Sequence, residues 1–261
     1  MEKVTRRVAL SGMLGTGAAA WWGDEQPEGL DGRNQTTRTA SMRARQRVDP
    51  RSISAVVTRR PVVTLTFDDG PDPATTPRVL DVLGDHGVRA TFFMVGRLAT
   101  QHPDLVREVL ARGHQVANHT QDHLWLDRQP QWVVAAQVLD GARSLTAVGA
   151  PASALFRPPH GWTSPAVASV ALRHRLRSIF WSDCLEKHLQ LGPAAAATTM
   201  AAGVRRGSIL LAHDGGHLDG PNPQSIDRSA SVEALPHLLE AVLAKALRFV
   251  TLSDLIGESS P

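Results

Sequence analysis

The chain has 261 residues, 42% of them hydrophobic and 20% charged, a balance that excludes a wholly disordered protein and leaves room for one large domain or two small ones. One cysteine, Cys184, excludes an internal disulfide framework and a cysteine-rich zinc site, while eleven histidines invite a search for metal or proton chemistry. The net charge of +3 is uneven: residues 33–60 carry eight arginines against Asp49 alone, whereas residues 61–261 carry 17 bases against 19 acids, so the body lacks the basic face of a nucleic-acid binder.

Residues 1–20 read as an export signal. Arg6-Arg7 precedes a mildly apolar, Gly/Ala-rich stretch from Val8, and Ala18-Ala19-Ala20 fits a cleavage site. The paired arginines and modest hydrophobicity predict the twin-arginine route and a secreted or cell-envelope protein. Residues 21–60 are polar, Arg-rich and aperiodic, which predicts a flexible linker. A tether to an anionic surface such as a cell-wall polymer is the more specific alternative. No run of 18 apolar residues occurs, so no stable membrane insertion is expected.

From Pro61 to about residue 256, short apolar runs alternate with helical stretches. Val62 to Phe67 is rich in β-branched residues and reads as a buried strand. A helix follows from Thr76-Pro77 to about His86, then a strand over 90–95, a helix from Pro103 to Gly113 and a short strand over 115–118. Helix 131–147, strand 155–156, helix 164–174, strand 176–181, helix 193–203, strand 208–212, helix 231–246 and strand 248–252 complete the series. About seven strands alternating with helices predict a parallel sheet under covering helices, either open and doubly wound or closed as a barrel. In both, function collects at the carboxyl ends of the strands.

Four such ends carry reactive side chains. Asp68-Asp69-Gly70-Pro71 sets two carboxylates at the end of a buried strand, a costly arrangement unless a metal offsets one and a cation the other. His119 and His123 are four apart; on a helical turn they share a face, and with one carboxylate they make an open three-ligand zinc site. Arg157 is placed to pair with the carboxylate the metal does not use, and Pro158-Pro159 stiffen the backbone so that the His160 N–H can serve an oxyanion. His213 is a candidate general acid.

These four segments, Thr66-Phe67-Asp68-Asp69-Gly70-Pro71, His119-Thr120-Gln121-Asp122-His123, Arg157-Pro158-Pro159-His160-Gly161 and Leu211-Ala212-His213, resemble in order the motifs of the polysaccharide deacetylases (NodB-like, carbohydrate esterase family four). The resemblance spans residues 61–256, with 257–261 left as a tail. It implies a distorted (β/α) barrel of about seven parallel strands and a hydrolase that removes acetyl groups from N-acetylated, less often O-acetylated, sugars. In that family pattern Asp68 is the base and Arg157 orients it. Asp69, His119 and His123 hold a divalent metal, usually zinc. His160 and Pro158 belong to the substrate-binding segment, Leu211 lines the acetyl pocket, and His213 is the acid. Peptidoglycan, chitin-like oligomers, acetylated xylan and a small acetylated glycoside all stay open as substrates. A non-catalytic glycan-binding relative is the alternative.

One segment departs from the pattern. Where the family often places an Asp that tunes the acid and a Trp that walls the pocket, this chain reads Trp181-Ser182-Asp183-Cys184-Leu185-Glu186-Lys187-His188. Asp183 or Glu186 is expected to replace the tuning Asp, and His188 to stand for the missing Trp. Residues 215–223, rich in Gly and Pro, read as a tolerated surface insertion, with a loop that shapes substrate access as the alternative.

Overall fold

The computed structural model of the protein describes residues 48–49, 51–216 and 226–257. The export signal, most of the linker, the greater part of the 215–223 loop and nearly all of the tail lie outside the described residues. The strands are β1 (Val62–Asp68), β2 (Thr91–Met94), β3 (Gln115–Asn118), β4 (Leu155–Phe156), β5 (Arg177–Ser178), β6 (Asp183–Cys184), β7 (Ile209–His213) and β8 (Arg248–Phe249). The helices are α1 (Thr76–Asp85), α2 (Gly96–Gln101), α3 (Pro103–Ala111), α4 (Gln131–Ala147), α5 (Pro165–Arg173), α6 (Pro193–Gly203), α7 (Ser229–Leu243) and α8 (Leu252–Ile256). Short 3-10 turns cover Leu126–Arg128, Pro159–Gly161 and Leu185–Leu191.

All pairings between the strands are parallel, in the order β5-β4-β3-β2-β1-β7-β6, with β8 beside the start of β1. The sheet curls into the distorted barrel that the resemblance implies. The strand expected over 176–181 is reduced to β5 at Arg177–Ser178, and the two-residue β6 at Asp183–Cys184, beyond that run, pairs on the opposite edge of the sheet.

Residues 53–56 bridge those two edges. The Ile53 N–H donates to the Ser178 carbonyl at 2.9 Å, the Phe180 N–H to Ile53 at 2.7 Å, and the Val56 N–H to Gly207 at 2.9 Å. The end of the segment read as linker is therefore part of the body. Pairing satisfies backbone groups that two exposed strand edges would leave open.

Residues along β1 alternate between two environments. Val63, Leu65 and Phe67 join the large core under the covering helices, together with Leu80, Leu83, Met200, Leu235 and Leu239. Val62 faces the barrel interior with Phe93, Ala117, Leu155, Ile179 and Ile209. Thr64, Thr66 and Asp68 continue that inner row, since side chains two apart share a face. All seven residues of β1 are buried, which explains an apolar run without polar alternation. Proline in the first turn of α1, α3, α5 and α6 starts each helix where no intrahelical N–H is lost. No helix among the described residues is long and apolar enough to cross a membrane.

Candidate active site

The ends of β1, β3, β4 and β7 converge. In β1 the register sets Asp68 beside His213 of β7, and in β3 it sets Asn118, next to His119, beside Phe156 of β4, next to Arg157. Asp68 ends the inner row of β1 and keeps 3% of its surface exposed. Asp69 turns out of the strand with a left-handed backbone, φ 73°. That change of conformation sends two adjacent carboxylates to different partners, and Asp is among the residues that tolerate it.

Asp68 belongs to Arg157. The guanidinium, wholly buried, donates from Nη1 to Asp68 Oδ1 at 2.5 Å and to Thr66 Oγ1 at 2.9 Å. Nε reaches the Ile179 carbonyl and Nη2 the Phe180 carbonyl, each at 3.2 Å. The guanidinium carbon also lies 4.1 Å over the Phe93 ring. A buried charge persists only when paired and hydrogen-bonded; Arg157 reaches four acceptors and Asp68 is paired through Oδ1.

Asp69 belongs to the histidines. Its Oδ1 is 3.3 Å from His119 Nε2 and 3.1 Å from His123 Nε2. Burial would push this carboxyl up, but the His123 charge and hydrogen bonds from His119 and His123 outweigh it and hold the group well below the usual range. The pair does not lie on a helical turn, as its spacing predicts; residues 119–123 form a loop with positive φ at Thr120 and His123. Helix α4 imposes that shape. The Gln137 carbonyl accepts from the Gln121 N–H and Gln137 Oε1 from the Asp122 N–H, both at 2.9 Å. Gly141 makes room, for a Cβ there would stand 2.6 Å from Asn118 Oδ1 and from the Thr120 backbone. Of the six non-glycine residues with positive φ among the described residues, Asp69, Thr120, His123 and His160 cluster here, the pattern of backbone strain held at a functional site.

These three donors fit a divalent cation. His119 Nδ1 lies 2.8 Å from the Arg157 carbonyl, which can only accept, so Nδ1 keeps its proton and Nε2 is the atom that would turn a lone pair to a cation once the proton it shares with Asp69 is displaced. Asp69, His119 and His123 offer ligand atoms within 4.8 Å of one another. Two neutral imidazoles and a carboxylate suit zinc with an open position.

His213 faces Glu186. Its Nδ1 is 3.0 Å from Glu186 Oε2. Glu186 Oε1 accepts from the His213 N–H at 3.1 Å and from Ser231 Oγ at 2.9 Å, and Oε2 accepts from Cys184 Sγ at 3.3 Å. Burial opposes the charge on Glu186, but His213 overrides it and holds the carboxyl at about 2. For His213 burial again opposes the charge, and Glu186 reverses the sign and raises it. Cys184, Glu186 and His213 also come within 4.8 Å of one another, yet burial drives the thiol well above its usual value, which keeps it a protonated and poor ligand. Of the two acids read as candidates for tuning, Glu186 takes the position. Asp183 instead lies 3.3 Å from His188 Nε2, so His188 is bound to that carboxylate.

His160 has φ 58°, and its ring stacks on Trp125 at 3.7 Å and meets His123 edge-on at 4.6 Å. Although the residue as a whole is exposed, desolvation of its ring, with His123 adding, lowers its pKa to about 3. Gly161 lies so close to Trp181 that a Cβ would stand 2.4 Å from the indole. Pro158, two residues before His160, and Leu211, two residues before His213, are both buried. Sequence reasoning missed Trp125 and Arg228; Arg228 Nη2 lies 3.5 Å from the second oxygen of Asp69.

Residues 55–179 match the family model for polysaccharide deacetylase. A peptidoglycan-N-acetylglucosamine deacetylase of Bacillus cereus is 35% identical over 198 residues, covering 75% of this chain and 88% of the relative. The chain belongs to the polysaccharide deacetylase family. A chitooligosaccharide deacetylase of Sinorhizobium fredii is 39% identical over 194 residues, covering 74% of this deacetylase and 90% of the relative. The solved structure of a peptidoglycan N-acetylglucosamine deacetylase, bound to 4-naphthalen-1-yl-N-oxidanyl-benzamide, superposes with a TM-score of 0.71 at 28% identity, over 79% of this chain and 92% of that one. The protein is thus a hydrolase of the polysaccharide deacetylase class.

Proposed function

We propose that this deacetylase removes the N-acetyl group from N-acetylglucosamine units of a cell-wall or extracellular glycan, with zinc held by Asp69, His119 and His123. The observation that carries the reading is the division of the twin carboxylates: Asp68 bonds Arg157 at 2.5 Å, while Asp69 faces two imidazoles at 3.1 and 3.3 Å. One carboxylate is free to take a proton, and the other is committed to a cation. The amide substrate is favoured over an ester because the relatives at 35% and 39% identity are named for peptidoglycan N-acetylglucosamine and for chitooligosaccharides.

The cation would supply Lewis-acid polarisation of the acetyl carbonyl and ease loss of a proton from the attacking water. Asp68 accepts that proton. Arg157 keeps Asp68 aimed until it does. The backbone N–H of His160, set by its left-handed conformation, faces the oxygen on which charge develops. Leu211 lines the acetyl end of the pocket. His213, kept protonated by Glu186, gives its proton to the departing nitrogen. Acetate and a free amino sugar result, with atoms and charge balanced by one water. Export through the twin-arginine route to the cell envelope completes the proposal, resting on Arg6-Arg7 and the segment that follows.

The test is acetate release from chitooligosaccharides, peptidoglycan fragments and acetylated xylan, each with and without a chelator. Release from the first two, abolished by chelation and restored by zinc, supports the reading. Release that survives complete metal removal, or that occurs from xylan alone, contradicts it.

A further inference from the structure

We infer that Arg228 is a positioning residue that makes Asp69 present one oxygen, and only one, to the cation site; the inference rests on the cation site proposed above. Among the described residues two arginines are buried, Arg157 and Arg228, at 0% and 6% exposure. Each takes one of the adjacent carboxylates. Arg157 holds Asp68 through Oδ1. Arg228 Nη2 faces Asp69 Oδ2 at 3.5 Å, on the side away from the oxygen that faces His119 and His123.

Three features tie Arg228 to this task. It stands at the N-cap of α7, where the helix dipole disfavours a cation, so the helix does not account for its charge. Its Nε donates to the Gly215 carbonyl at 2.7 Å, which fixes the guanidinium against the strand end that carries His213. Of the two glycines that follow Asp214, Gly216 makes room for the guanidinium and Gly215 for the Asp69 backbone. A Cβ at Gly216 would stand 2.8 Å from Nη2, and a Cβ at Gly215 would stand 2.5 Å from the Asp69 carbonyl oxygen. The Ile226 N–H closes the same corner by donating to the Gly216 carbonyl at 3.0 Å. Three residues further on, Ser231 Oγ bonds Glu186. One short stretch, 228–231, therefore reaches both the cation-binding carboxylate and the support of the acid.

The consequence is electrostatic and geometric. A carboxylate with one oxygen engaged by a guanidinium offers a cation the other oxygen alone, which preserves a low coordination number and an open position for substrate. A fixed positive charge beside the site also weakens cation binding. Its loss should thus tighten the cation and slow the reaction together, whereas a merely structural arginine would loosen the cation when removed.

The experiment uses the full chain with Arg228→Met, close in volume and uncharged, and Arg228→Lys. Apo protein is titrated with zinc against a competing chelator, the visible spectrum of the cobalt-substituted protein is recorded, and acetate release from a chitooligosaccharide is measured. Arg228→Met is expected to bind zinc roughly tenfold more tightly, to lose cobalt absorption intensity as the carboxylate engages through both oxygens, and to lose roughly ten- to a hundredfold in kcat with KM little changed. Arg228→Lys, which returns the charge without the fork, should recover parental zinc affinity while keeping an altered cobalt spectrum. Zinc affinity unchanged or weakened in Arg228→Met, with the parental cobalt spectrum, overturns the inference. Should Arg228→Met not fold, a parental spectrum in Arg228→Lys overturns it equally. A parent that binds no zinc overturns the cation reading itself, which separates the two failures.

Discussion

Substituting Glu186→Gln keeps the shape of the side chain and removes its charge. Glu186 Oε2 lies 3.0 Å from His213 Nδ1, and both side chains are nearly excluded from water. An opposite charge at such a distance moves a pKa by about one to three units. Without it, the burial that already opposes the imidazolium stands alone, so the pKa of His213 falls. As the proposed acid, His213 acts in its protonated form, and activity should be lost as pH rises past its pKa. A lower pKa therefore brings that loss to lower pH. The alkaline limb of kcat/KM should move toward acid by about one to three units, and at a pH above the limb the rate should drop about tenfold per unit. The assay is acetate release across a pH series, with metal content checked in parallel and expected to stay at the parental level. Asp183→Asn should leave the limb in place, because Asp183 pairs with His188 at 3.3 Å. A limb that stays put in Glu186→Gln, or that moves equally in Asp183→Asn, would refute the assignment.

Arg157→Met leaves Asp68 buried without its cation, and should cost the metal-free protein about 3–5 kcal/mol in denaturant unfolding at neutral pH; a loss under 1 kcal/mol would contradict a tightly held pair. Removal of residues 1–50 should leave turnover of a soluble oligosaccharide intact, whereas removal through residue 60 should lower thermal stability and turnover together, since Ile53 and Val56 bridge the barrel edges. Arg6→Lys with Arg7→Lys should stop export, read as loss of processed protein outside the cytoplasm; equal secretion would rule out the twin-arginine route.

Much of this architecture is legible in the residues. Helix 131–147 is read to the residue, and strand 155–156 likewise, because a proline precedes the first and a proline pair follows the second within two residues. The catalytic segments are legible because each falls where an apolar run meets a turn. What escapes depends on contacts distant in sequence. The spacing of His119 and His123 suggests a helix, but Gln137 on α4 captures the backbone of the loop and overrides the local preference. Residues 51–56 lack periodicity because their partners are two strand edges rather than a core face. Helix α2 is six residues long and has no proline or polar cap to announce it. The choice between Asp183 and Glu186 turns on the 3-10 turn after β6, which local pattern does not reveal. Arg228 left one signal, a cation at a helix start, against the usual preference.

The central claim is that Asp68 and Asp69, neighbours in sequence, do different work. The measurement that tests it most directly is zinc content and acetate release in Asp68→Asn and Asp69→Asn, assayed side by side across a zinc titration. Asp68→Asn should keep near-stoichiometric zinc while kcat falls on the order of a hundred- to ten-thousandfold, the worth of a positioned base. Asp69→Asn should lose zinc at low concentration and regain part of its activity in excess zinc, since a neutral amide oxygen is a poorer ligand than a carboxylate. Loss of zinc in Asp68→Asn with retention in Asp69→Asn would reverse the roles, and no change in either variant would contradict the site itself.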